Sequence, residues 1–125
     1  MWRSNHNTYN VAYMAKTTYL GEFEQVVLLA VLRLAEHGAY GVSIREEIAK
    51  RTKRAPAPGA IYTTLDRLER KGFVISSVGE ATPIRGGKAK RYYCVSARGQ
   101  VALNRALSAF QSLSKGLPLL GEIGD

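Results

Sequence analysis

From Gly21 to His37 apolar residues recur at helical spacing, and on more than one side of the predicted helix. Phe23, Val27, Ala30 and Leu34 form one stripe, Leu28, Val31, Leu32 and Ala35 a second, and Val26 and Leu29 widen the first. A helix this apolar has to be covered on most sides. The core of a small domain covers one face, so the other predicts contact with the C-terminal helix or with a second subunit. Gly38 is placed to end the helix as its C′ residue. Ser43 followed three residues later by Glu46 has the spacing of a capping box. It predicts a short helix from Ser43 to about Thr52 that buries Ile44, Ile48 and Ala49. Lys53-Arg54-Ala55-Pro56-Ala57-Pro58 then breaks it, because proline cannot continue a helix. A third helix is predicted over Gly59–Lys71, with Ile61, Leu65 and Leu68 as one narrow buried stripe and Gly72 closing it. Its opposite side carries Gly59, Thr63, Asp66, Arg67 and Arg70, with Tyr62 on the flank.

Phe73–Val78 and Lys90–Val95 are rich in β-branched and aromatic residues and predict two strands. Between them Pro83 argues against strand continuation and Gly86-Gly87 marks a turn, so the pair reads as a hairpin with a long basic tip. Ser96 is placed to cap a last helix over about Ala97–Ser114, whose apolar positions are Val101, Leu103, Ala106, Leu107, Phe110 and Leu113. The element order predicts a mainly α fold with a small β hairpin: a winged helix-turn-helix plus a C-terminal dimerisation helix. The expected division is a flexible lead over 1–19, a DNA-binding winged-helix unit over 20–96, a dimerisation helix over 97–115 and a tail over 116–125. Met14 opens Met-Ala-Lys-Thr, which is either a second translation start or an ordinary internal methionine.

Charge sharpens this picture. The 125 residues carry a formal net charge of +8. Between Arg45 and Arg105 stand fourteen Lys or Arg against five acids, so the excess sits in the predicted helix-turn-helix and hairpin. Such a cluster predicts a polyanionic partner. Other classes lose ground. A lone cysteine forms no internal disulfide, and with only His6 and His37 beside it a structural zinc site is not expected. No apolar stretch approaches the roughly 20 residues that span a bilayer, and no signal peptide or membrane partner is expected. A reducing, cytoplasmic compartment is the expectation. No catalytic constellation appears, so neither an enzyme nor a cofactor is expected. Cys94 is expected as a buried small hydrophobe in its strand, and His37 as a partner for helix-terminal carbonyls.

The chemistry of DNA contact distributes itself over these elements. Gly59 and Ala60 leave the backbone at the start of the third helix open to close approach, where free N–H groups suit phosphate. Thr63 offers a hydroxyl and a methyl, and Tyr62 offers a hydroxyl or serves as a core aromatic. Arg67 is the candidate for a guanine contact, since its fork bonds N7 and O6 together. Asp66 faces DNA poorly unless it orients Arg67 or Arg70, the latter its i to i+4 partner. Lys53, Arg54 and Arg70 are further candidates for DNA contact, and Arg85, Lys88 and Lys90 are candidates for phosphate, with the third helix in the major groove and the hairpin on phosphates or in the adjacent minor groove.

Tyr40-Gly41, the run from Gly59 to Val74 and the run from Arg91 to Gly99 together resemble the PadR-like transcriptional regulators, with the likeness extending from about Gly21 to Leu113. The resemblance implies a bacterial, cytoplasmic, homodimeric winged-helix repressor of the compact subgroup. It also implies dimerisation through the last helix packed against the partner's first helix. Phe23, Val26, Val27, Ala30, Leu103, Leu107 and Phe110 are then the candidate dimer surface. Some compact members place a tryptophan of the last helix at the dimer centre to bind aromatic drugs; here Trp2 is the only tryptophan and the last helix offers Phe110. A small-molecule effector is left open, and the sequence names none. Two readings compete with a specific regulator: a winged-helix protein-interaction module and a non-specific nucleic-acid binder.

Overall fold

The computed structural model describes residues 19–79 and 89–119. The lead over 1–18, the hairpin tip with Arg85 and Lys88, and the end of the tail lie outside the described residues. The order is α1 (Glu22–Arg33), α2 (Gly41–Thr52), α3 (Pro58–Arg70), β1 (Val74–Val78), β2 (Arg91–Val95) and α4 (Ala97–Ser114). The chain is thus mainly helical, with a two-stranded antiparallel hairpin after α3 and a long last helix.

Each boundary has a local cause. At the start of α1 the Glu24 carboxylate accepts the Gly21 N–H at 2.8 Å. The helix proper ends at Arg33, four residues before His37, and Leu34–His37 form a turn that closes with Gly38 at φ +97°. α2 begins three residues earlier than the Ser43–Glu46 spacing predicts, with its N-cap at residue 40 instead of 43. Tyr40 is its N-cap, and Ser43 acts from the third helical position by accepting the Tyr40 N–H at 2.9 Å. Glu46 and Ala49 are exposed. Pro58 opens α3 at its first turn, where a missing N–H costs nothing. At its far end the Phe73 N–H reaches the Leu68 carbonyl and the Gly72 N–H that of Glu69, both at 2.9 Å, with Gly72 at φ +81°. This is a Schellman closure, with buried Phe73 and Leu68 supplying its apolar contact.

Val27, Leu28, Val31, Ile44, Ile48, Ile61, Leu65, Leu68, Phe73 and Val74 form the core under the three helices and the hairpin. The strands pair Val74 with Val95 through Val78 with Arg91. Tyr93 faces the core, so the pleat turns Cys94 outward; Cys94 is exposed, contrary to the burial expected from its apolar neighbours.

α4 runs over the span predicted. Ser96 caps it by accepting the Gly99 N–H at 3.0 Å while donating to the Gly72 carbonyl at 2.7 Å. Gly99 permits the approach, because a β-carbon there would stand 2.2 Å from the Phe73 carbonyl oxygen. Leu103 is buried, but the second half of the helix leaves the fold, and Phe110 and Leu113 are 62% and 78% exposed. Three residues of the expected dimer surface need correction. Val27, Ala30 and Leu103 are buried in the core of their own chain and have no surface to offer a partner. Phe23, Val26 and Leu107 are half-buried against that core. The apolar residues that α1 does expose are Leu29 and Leu32, and beside them Val101 of α4.

Candidate nucleic-acid interface

The solvent face of α3 follows from its buried one. Ile61, Leu65 and Leu68 are fully buried and Thr64 nearly so, which leaves Gly59, Ala60, Tyr62, Thr63, Asp66, Arg67 and Arg70 outward. Around Gly59 there is open space for 4 Å from where a β-carbon would stand. Tyr62 does two things at once. Its ring is half exposed, yet its hydroxyl packs onto Gly41, where a β-carbon would be 2.2 Å away. Gly41 is therefore small because Tyr62 occupies the space, a physical reason for the Tyr40-Gly41 pair. Asp66 forms no ion pair with Arg70.

α3 is held from behind by a cluster the sequence did not disclose. Glu24 is 5% exposed, and its carboxylate accepts Lys71 Nζ at 2.9 and 3.0 Å. Lys71 Nζ also donates to the Tyr19 carbonyl at 2.8 Å. Arg67 Nη1 lies 3.8 Å from the same carboxylate while its side chain remains 45% exposed. On the other edge Ser76 donates to Glu69 at 2.7 Å and accepts from Arg91 at 3.0 Å, joining the hairpin to α3. Arg45 ties the α2–α3 turn by donating to the Pro56 carbonyl at 2.6 Å.

The remaining cations divide. Lys53 caps α2 in the left-handed conformation, φ +61°, and is exposed. Arg54 does not stand beside it. Its guanidinium turns back to Glu22 at 2.7 Å, lies 5.5 Å from the centre of the Phe23 ring, and is held more firmly protonated by the hydrogen bond and charge of Glu22. Lys90 Nζ sits 4.3 Å from the centre of the Tyr40 ring. Tyr93, below the hairpin, has its hydroxyl pKa raised by burial, so the phenol stays neutral. Among the described residues no group of three or more His, Cys, Asp or Glu is placed to hold a metal ion, and no helix is long and apolar enough to cross a membrane.

Residues 28–105 match the model of the transcriptional regulator PadR-like family. This chain belongs to the PadR-like family of transcriptional regulators. It is 28% identical over 81 residues to transcriptional regulator Rv3488 of Mycobacterium tuberculosis, covering 65% of this chain and 71% of that one. Its fold is shared by a PadR-like transcription factor from Bacteroides fragilis at TM-score 0.63 and 22% identity, over 85% of this chain and 93% of that one. A PadR family regulator from Clostridium difficile superposes at TM-score 0.59 and 23% identity, over 72% and 91% of the two chains. Membership makes the chain a regulator of transcription with a winged helix, not an enzyme. The PadR-like match contains α2, α3, the hairpin and the first half of α4, and it ends at Arg105, before exposed Phe110 and Leu113.

Proposed function

We propose that this PadR-like protein is a cytoplasmic repressor that binds a palindromic operator as a homodimer. The observation that carries the DNA reading is the outward face of α3, where Thr63, Arg67 and Arg70 stand exposed over a fully buried Ile61–Leu65–Leu68 stripe. α3 enters the major groove, Arg67 reads a base, and Gly59 and Ala60 bring the helix N-terminus to phosphate. Lys53, Arg70 and Lys90 contact the backbone. Dimerisation is supported by the apolar surface that one chain leaves open: Leu29 and Leu32 on α1, and Val101, Phe110 and Leu113 on α4. Two-fold symmetry then places half-sites about 10–10.5 bp apart centre to centre, or a multiple of that.

Selection of duplexes from a random library, followed by footprinting on both strands, tests the reading. It should return a dyad, and Arg67→Ala should cost about 1–3 kcal/mol on the selected duplex and relax one base pair per half-site. Equal weakening on selected and scrambled duplexes would make Arg67 a phosphate contact. Enrichment of no duplex, or a folded monomer at micromolar concentration by sedimentation, overturns the proposal.

A further inference from the structure

We infer that Tyr92 is a positioning residue for DNA: its ring clamps the hairpin root to the helix-turn-helix and sets where the hairpin stands relative to α3. The ring is wedged between two glycines from different parts of the chain. A β-carbon on Gly38 would lie 3.1 Å from Tyr92 Cε1, and one on Gly79 would lie 2.8 Å from Cε2. Gly38 needs to be glycine for its backbone as well, at φ +97°. Gly79 has no left-handed backbone, so the ring is the reason a side chain does not fit there.

The contacts around the ring reach three elements. Tyr40, the residue that caps α2, meets Tyr92 edge to face with centroids 5.6 Å apart and planes at 79°. Lys90 covers the Tyr40 ring. The Tyr93 N–H donates to the Ala39 carbonyl at 2.8 Å, and the Gly79 N–H to the Lys90 carbonyl at 2.7 Å. Tyr92 thus joins the end of the α1 turn, the start of α2 and both strands at the hairpin root. A hairpin of two strands has little stability of its own, and its direction comes from what it packs against. On the α3 side only the polar Glu69–Ser76–Arg91 relay holds it among the described residues outside the core. With the ring gone, the root keeps its Tyr93–Ala39 bond and its buried Val74 and Tyr93 but loses the contact that fixes its direction, so Lys90 moves off the phosphates while α3 keeps its place.

This inference rests on the proposal that α3 and the hairpin both grip DNA. The test measures anisotropy of the full chain with the selected duplex and with a scrambled duplex of equal length, across a salt series. Tyr92→Ala should weaken both duplexes roughly tenfold and make the salt dependence shallower by about one contact per subunit. Tyr92→Phe should restore binding to within about twofold, since ring carbons make the contacts with Gly38 and Gly79. Gly79→Ala should weaken binding in the native background and do nothing further when Tyr92 is already alanine. If circular dichroism shows Tyr92→Ala unfolded, Gly79→Ala and Tyr92→Phe carry the same comparison. A native salt slope in folded Tyr92→Ala, or in Gly79→Ala, overturns the inference and leaves the DNA reading standing. Failure of the unsubstituted chain to bind either duplex overturns the DNA reading itself.

Discussion

Glu24 offers the most direct measurement of what holds α3. The residue is 5% exposed, and replacing it by alanine strands two donors, the Gly21 N–H and the Lys71 ammonium. Removing one partner of a buried pair costs about 3–5 kcal/mol, and losing the helix-start bond adds about 1 kcal/mol. Lys71 keeps the Tyr19 carbonyl and its side chain is 18% exposed, which pulls the pair's cost to the low end. Glu24→Ala should therefore destabilise by about 3–4 kcal/mol, a large share of a domain stability of about 5–15 kcal/mol. Glu24→Gln retains an oxygen for both donors and loses the charge, so it should cost about 1–2 kcal/mol. Lys71→Met introduced into Glu24→Ala should recover most of the loss, because the stranded charge is then gone. Urea unfolding at one fixed chain concentration provides the free energies, since association enters the stability of a dimer. Equal costs for alanine and glutamine, or a deeper loss when Lys71→Met is added to Glu24→Ala, would refute a buried charge pair at this position.

Gly99→Ala should destabilise by about 1–2 kcal/mol in the same assay, because overpacking against the Phe73 carbonyl outweighs the helix propensity gained, whereas Gly59→Ala, which meets open space, should stabilise by about 0.5–1 kcal/mol and weaken DNA binding. Tyr93 has a pKa raised by burial above the ordinary 10.0, so the unfolded chain ionises first. Its contribution is intact below pH 10 and is lost as pH rises from there through the raised folded value. Melting temperatures between about pH 9 and 11.5 should fall less in Tyr93→Phe than in the native chain. In the proposed dimer, Phe110→Asp should yield a folded monomer in sedimentation velocity at micromolar concentrations where the native chain should sediment as a dimer, because a charge is placed where the partner's apolar surface would cover it.

Local signals in this chain carried the fold well and the site less well. α4 was legible to the residue because Ser96 stands where a cap must stand and a regular apolar series follows it. α3 was legible because Ile61, Leu65 and Leu68 leave no second choice of buried face. α1 was ambiguous for the opposite reason: with apolar residues on most sides, periodicity alone does not say which stripe meets its own core. The structure buries Val27, Leu28, Ala30 and Val31 and leaves Leu29 and Leu32 outside. The start of α2 was misplaced because Ser43 works equally well as an N-cap or, as it does here, from the third position behind Tyr40. Tyr-Tyr-Cys-Val has no polar alternation, so nothing in it told Cys94 from Tyr93. The Glu24–Lys71 bond joins residues 47 apart and leaves no local trace. Gly99, a glycine in the first turn of a strong helix, is a sequence hint of a different contact, the close approach of α4 to the Phe73 backbone.

Counting lysines and arginines treats every cation as available to DNA, and the folded chain does not. Lys53 and Arg54 are neighbours with the same charge, and the sequence alone makes them equal candidates for DNA contact. Folding separates them through the backbone. Lys53 takes a left-handed cap, φ +61°, and the chain turns there; Arg54 then reaches Glu22 at the start of α1 and the face of Phe23. To serve a phosphate, Arg54 would have to leave a carboxylate at 2.7 Å, and the gain of one contact would be offset by the loss of another. Lys53 gives up nothing comparable among the described residues. Neutralising each should therefore produce different salt dependences. Lys53→Asn, which tolerates the left-handed backbone, should reduce the slope of log affinity against log salt by about one per subunit, or about two for a dimer. Arg54→Gln should leave that slope within error, since its charge is already neutralised within the fold by Glu22. Both slopes come from anisotropy titrations with one duplex between about 50 and 200 mM salt. A slope reduced equally by the two substitutions means that Arg54 abandons Glu22 on the DNA, and the division of cations drawn from the free chain would then have to be withdrawn.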